Sequence, residues 1–124
     1  NKPGIYCIKI QGRIVYIGKS LNMLTRISQH IFEINRNKQK SNKYKVLRQA
    51  KDNGINIDFD VLKKCYGRNI TELDSALGDA EASLIRKHMP ALNYQLPHIG
   101  DYWNFDVNEK ARTVCLYVLL RKEI

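Results

Sequence analysis

Gly4-Ile5-Tyr6 and Tyr16-Ile17-Gly18 put two tyrosines ten positions apart in separate runs of β-forming residues, and each phenol is a candidate for moving a proton. A phenol titrates near 10, so it acts as a base at neutral pH only where a neighbouring cation or a metal-held water assists it. Arg26 and His30 lie four residues apart in a helical pattern and so project together from one face. The guanidinium is a planar, permanently charged fork suited to a phosphate, and the imidazole beside it is placed to relay a proton or hydrogen-bond a tyrosine. Lys19, next to Gly18, is positioned for a second phosphate contact. Farther on, Arg36, Lys38, Lys40, Lys43, Lys45, Arg48 and Lys51 form a basic run that reads either as a surface for a phosphate backbone or as a solvated helix face and loop.

These side chains need elements to position them. Residues 4–10 and 14–17 are β-branched and aromatic, and Gln11-Gly12-Arg13 between them has turn chemistry, which predicts a hairpin. A three-residue loop keeps Tyr6 and Tyr16 on one face, whereas a two-residue loop without a bulge separates them. Ser20 is expected to cap a helix over 21–36 with a core stripe of Leu24, Ile27, Ile31 and Ile34. A second helix over 42–53 carries Tyr44, Val46, Leu47 and Ala50 and stops at Asn53-Gly54. Residues 55–65 begin with alternation, a third strand with one wet face. Thr71 and Asp74 predict the start of a helix that runs to His88, before Pro90. Its apolar stripe is Leu73, Leu77, Ala80 and Leu84, which leaves Glu81 half-buried on the flank. Beyond Pro97 a further hairpin is expected, with strands over 102–107 and 113–121. The second strand is apolar on both faces and needs the core, a second copy of the chain or a following domain to cover it, the first two being favoured.

The paired triplets resemble the motif that names the GIY-YIG nucleases, and the resemblance extends over residues 4 to about 97. Family members carry an arginine on the helix after the second triplet, a glutamate on a later helix and an asparagine beyond it; Arg26, Glu81 and Asn93 stand in that order here. The resemblance implies a small α/β sandwich with a three-stranded antiparallel sheet flanked by helices over 1–97, to which the chain adds a C-terminal β-hairpin extension over 98–124. It implies a Mg²⁺-dependent endonuclease, with Mn²⁺ expected to substitute. In that scheme Tyr6 activates water with Tyr16 assisting, Arg26 holds the phosphoryl charge, Glu81 binds the metal and Asn93 fixes a loop near the hairpin. A catalytically inactive nucleic-acid-binding module of the same fold is the alternative, and a protein-interaction domain built on the hairpin a third reading.

Charge favours a polyanionic partner independently of that resemblance. The net charge is +9, and residues 1–51 hold twelve Lys or Arg against the single acid Glu33. The chain has no long apolar span or polybasic amphipathic helix, so nucleic acid is preferred to a membrane: DNA, duplex or branched, with RNA left open. Cys7, Cys65 and Cys115 are too few and too scattered for a disulfide framework or zinc site and read as buried thiols in a reducing compartment. The expected location is cytoplasmic or nucleoid-associated, or nuclear in a eukaryote. A homodimer through the C-terminal hairpin is one candidate assembly.

Overall fold

The computed structural model describes residues 2–39 and 41–93. The domain boundary at 97, the C-terminal hairpin and Lys40 lie outside the described residues. The elements run β1 (Gly4–Ile10), β2 (Arg13–Ser20), α1 (Met23–Asn35), α2 (Asn42–Asp52), β3 (Ile57–Lys64) and α3 (Ile70–His88), followed by a 3₁₀ turn at Ala91–Asn93. The sheet is antiparallel with β1 in the middle of the order β2-β1-β3. β1 is buried almost throughout because both of its faces are covered. On one face Ile8, Ile10 and Val15 pack against Ile34 of α1 and Tyr44, Val46, Leu47 and Ala50 of α2. On the other, Ile5, Cys7 and Ile17 pack against Leu77 of α3, with Leu73, Ala80, Leu84 and Ile85 around it. Cys7 and Cys65 are buried free thiols. Among the described residues, no helix is long and apolar enough to cross a membrane.

The hairpin loop has two residues rather than three: Ile10 pairs with Arg13, and Gln11 and Gly12 take positive φ values of 51° and 77°, the backbone of a tight primed turn. A flat ladder with that turn would put the tyrosines on opposite faces. A bulge prevents it. Ile8 pairs with Tyr16 and Lys9 with Ile14, so Val15 is the extra residue, and beyond it Tyr6 pairs with Gly18. The inserted position restores the phase of the side chains, which returns Tyr16 to the face of Tyr6.

Three helix details also differ from expectation. Ser20 remains in the ladder opposite Gly4, so Asn22 caps α1 and accepts from the Thr25 N–H at 3.0 Å, while Ser20 Oγ accepts from the Asn22 N–H. The buried residues of α1 are Met23, His30 and Ile34, whereas Leu24 and Ile31 point outward. The helix is turned so that a polar imidazole, not the aliphatic stripe, enters the core. α3 begins before Thr71, because the Asn69 carboxamide reaches the Glu72 N–H at 2.9 Å and supplies the cap.

α3 ends at Met89 in a left-handed conformation, and the 3₁₀ turn then delivers Asn93 to the open edge of β2. Its carboxamide accepts from the Ile17 N–H and donates to the Ile17 carbonyl, both at 2.7 Å. One side chain thereby bonds both main-chain groups of Ile17, as a neighbouring strand would. Each such bond contributes about 1 kcal/mol net. Asn93→Ala should therefore lower unfolding stability by about 2 kcal/mol in urea denaturation, and Asn93→Asp, which cannot donate, should lose at least half as much.

Candidate active site

Tyr6 and Tyr16 lie side by side, ring centroids 6.5 Å apart. Gly18 is what makes room for the first ring, because a Cβ there would overlap the phenol oxygen and ring of Tyr6. Gly4 does the same for Met23, which packs at the start of β1. Both triplet glycines are thus spaces into which other side chains fit.

Behind Tyr6 stands His30, fully buried, with Nε2 at 2.6 Å from the Tyr6 hydroxyl and Nδ1 at 2.8 Å from the hydroxyl of Tyr44. The triad links β1, α1 and α2. Burial, with added repulsion from Lys43 and Arg26, lowers the His30 pKa to about 3, so the imidazole is neutral and offers one donor and one acceptor to its two phenols. Tyr44, which the sequence suggested only as a core residue, belongs to the site. Its helical spacing is that of any buried aromatic and carries no sign of the imidazole across from it.

All three phenols hold their protons more tightly than usual. Burial is the main cause in each, and Arg26 opposes it without prevailing. A neighbouring cation alone therefore does not make a base here. Tyr6 is 1% exposed, whereas Tyr16 is only half-buried, so the expected order of the two is reversed in accessibility. Tyr16 is also raised by the charge of Glu81 and lowered by a hydrogen bond from Tyr6.

Arg26 is half-buried one turn before His30, donates to Gln29 Oε1 at 3.0 Å and acts electrostatically on Tyr6, Tyr16, Tyr44, His30 and Lys43. Lys43 has left the basic surface run: its Nζ lies 4.3 Å from the ring centre of Tyr16 and 4.8 Å from that of Tyr44. Glu81, half-buried on α3, acts electrostatically on Tyr16 from the helix that packs on the other face of the sheet. Among the described residues, no group of three or more His, Cys, Asp or Glu side chains could hold a metal, and Glu81 takes part in no ion pair. A single free carboxylate fits a hard divalent ion that keeps most of its waters and takes the rest of its shell from phosphate oxygens.

The other basic residues are divided. Lys19 and Lys38 are exposed and Lys45 is half-buried. Arg36 pairs with Glu33 at 3.2 Å. Arg48 pairs with Asp52 and donates to the carbonyls of Ile34 and Arg36 at 3.1 and 3.0 Å, closing the C-terminus of α1. Both arginines are occupied as scaffold, Arg36 by its ion pair and Arg48 because a helix end leaves carbonyls that need donors. A shallow concavity of about 510 Å³, lined by Thr25, Arg26, Ser28, Gln29, Phe32 and Glu33, lies along α1 beside the site and does not include its tyrosines.

The family model for the GIY-YIG catalytic domain matches residues 2–95. Two curated relatives are each a UvrABC system protein C: that of Hydrogenobaculum is 30% identical over 98 residues, and that of Mycoplasma genitalium 31% identical over 114. They cover 79% and 90% of this chain, which spans only 14% and 16% of their lengths. Among solved structures, the GIY-YIG N-terminal endonuclease domain of UvrC from Thermotoga maritima, bound to magnesium as its catalytic divalent cation, is 22% identical, covering 75% of this chain and 84% of that one with a TM-score of 0.47.

Neutral His30 links folding to pH. Below its ordinary value of 6.5 the unfolded chain takes up a proton that the folded chain refuses until about pH 3. Stability is therefore complete above pH 6.5 and is lost as the pH falls, by about 1.4 kcal/mol per unit. Urea unfolding of the wild type between pH 6.5 and 5 should show about 2 kcal/mol more loss than that of His30→Gln, and parallel curves would contradict a neutral buried imidazole.

Proposed function

The chain belongs to the GIY-YIG catalytic domain family, and from that premise we propose that it is a divalent-metal-dependent endonuclease that hydrolyses DNA phosphodiester bonds. The observation that carries this reading is that Arg26 and Glu81, the latter in no ion pair among the described residues, both act electrostatically on Tyr16, the more exposed of the two motif phenols. Hydrolysis of a phosphodiester needs a base for the water, a cation for charge on the phosphoryl oxygens and stabilisation of the departing oxygen. These three groups meet one need each.

Tyr16, after losing its own proton to solvent, is the phenolate that receives the proton of the attacking water and returns to a neutral phenol, a role supported by its exposure relative to Tyr6. Tyr6 donates a hydrogen bond to that phenolate before the transfer. His30, with its proton on Nε2, donates to Tyr6 and accepts from Tyr44, so the chain of phenols is held in one direction. Arg26 contacts the phosphoryl oxygens, where charge accumulates in the transition state. Glu81 would hold Mg²⁺, which when bound stabilises the leaving oxygen and reverses the field that Glu81 alone exerts on Tyr16. Exposed Lys19 and Lys38, with Lys45, track the backbone on either side. DNA as substrate rests on the basic first half of the chain, and Mn²⁺ should replace Mg²⁺.

Supercoiled plasmid should be nicked or linearised in Mg²⁺ or Mn²⁺ and remain intact in EDTA. Glu81→Ala and Arg26→Ala should each reduce the rate by about 100-fold or more, while Glu81→Ala leaves DNA binding nearly unchanged in a gel-shift assay. Wild-type rates from Glu81→Ala would sink the mechanism, and an intact plasmid under all metals would favour an inactive binding module.

A further inference from the structure

Lys43 is held where a cation is electrostatically unfavourable. It is half-buried, it lies in the first turn of α2, where the helix dipole is positive and no acidic residue offsets it, and Arg26 repels it. Burial and that repulsion lower its pKa to about 8. Among the described residues, neither Lys43 nor Arg26 pairs with a carboxylate. What offsets these costs is contact with the π faces of Tyr16 and Tyr44, worth about 1–2 kcal/mol when partly desolvated. A methionine or leucine would cover the same rings without the repulsion. Two neighbouring cations that lack an acid, one of them resting on the phenol assigned to the water, are matched by an anion placed between them.

We propose that Lys43 and Arg26 together form a cradle for one phosphate group above Tyr16, with Lys43, supplied by α2, contacting its non-bridging oxygens. The identity of that anion as the scissile phosphate of DNA rests on the nuclease reading. The cradle also gives α2 a part in the reaction: its amine, on a flexible stem, moves from the ring face to the phosphate when substrate arrives, while the guanidinium grips from α1. A phosphate seated there neutralises two charges that repel in its absence, and it lies against the phenol oxygen of Tyr16.

The test uses inorganic phosphate in EDTA, so that neither metal nor cleavage is needed. Phosphate should shift the NMR resonance of the Lys43 ε-methylene in the wild-type protein, and Lys43→Met should weaken phosphate binding by about tenfold, the loss of one charge-assisted hydrogen bond. Lys43→Arg should retain most of the affinity, and Lys38→Met, at an exposed lysine, should retain all of it. In DNA cleavage with Mg²⁺, Lys43→Met should lower kcat by about 100-fold with a smaller change in KM. An unmoved Lys43 resonance at saturating phosphate overturns the proposal without recourse to any variant, as does wild-type phosphate affinity in a folded Lys43→Met protein. A wild-type protein that shows the Lys43 shift but cuts no DNA would overturn the nuclease reading and leave the anion cradle standing.

Discussion

The hydrogen bonds that join His30 with Tyr6 and Tyr44 tie together β1, α1 and α2 on one face of the sheet. A buried imidazole with an unmatched nitrogen costs several times what a matched one contributes. α1 is therefore held at the rotation that puts His30 between the two phenols, and the aliphatic side chains Leu24 and Ile31 are left outside. Once that rotation is set, Arg26, one turn earlier on the same helix, arrives beside the tyrosines. Among the described residues, no buried side-chain nitrogen or oxygen lacks a partner, so the network is closed, and closure is what allows so polar a group in the core.

The sheet meets the same requirement from its side. The tight turn at Gln11-Gly12 and the bulge at Val15 each shift the side-chain phase by one position, and only together do they return Tyr16 to the face of Tyr6. Gly18 then provides the space in which the Tyr6 ring lies, and Asn93 closes the strand edge at Ile17, the residue between Tyr16 and Gly18. The short motif on β2 is thus supported on both sides: by a ring packed over its glycine and by an amide bonded to its backbone.

Charge divides the site into two sides. α1 and α2 bring cations to Tyr16, and a carboxylate on α3 acts on it from the other face of the sheet. Burial makes the three phenols around His30 weaker acids than in water, so a phenolate at Tyr16 needs positive charge added at the site rather than the resident arginine alone. A phosphate between the cations and a divalent ion at the carboxylate are complementary to these two fields.

Much of this was determined by local sequence. The strand runs, the turn chemistry, the helical stripe that leaves Glu81 on its flank and the order of the site residues are short-range patterns; the three-stranded sheet between helices is what the family resemblance implied and the order of elements allowed. Local sequence did not determine the rotation of α1, because an aliphatic stripe outweighs a histidine in any periodicity, and the imidazole enters the core only through phenols supplied by two other elements. Nor did it separate the basic run into parts. Arg36 pairs with Glu33, Arg48 closes the end of α1, Lys38 stays in solvent and Lys43 joins the site, although all four are cations within thirteen residues. Their roles depend on which carbonyl, carboxylate or ring each meets, and those partners lie on other elements and are brought together only when the helices pack on the sheet.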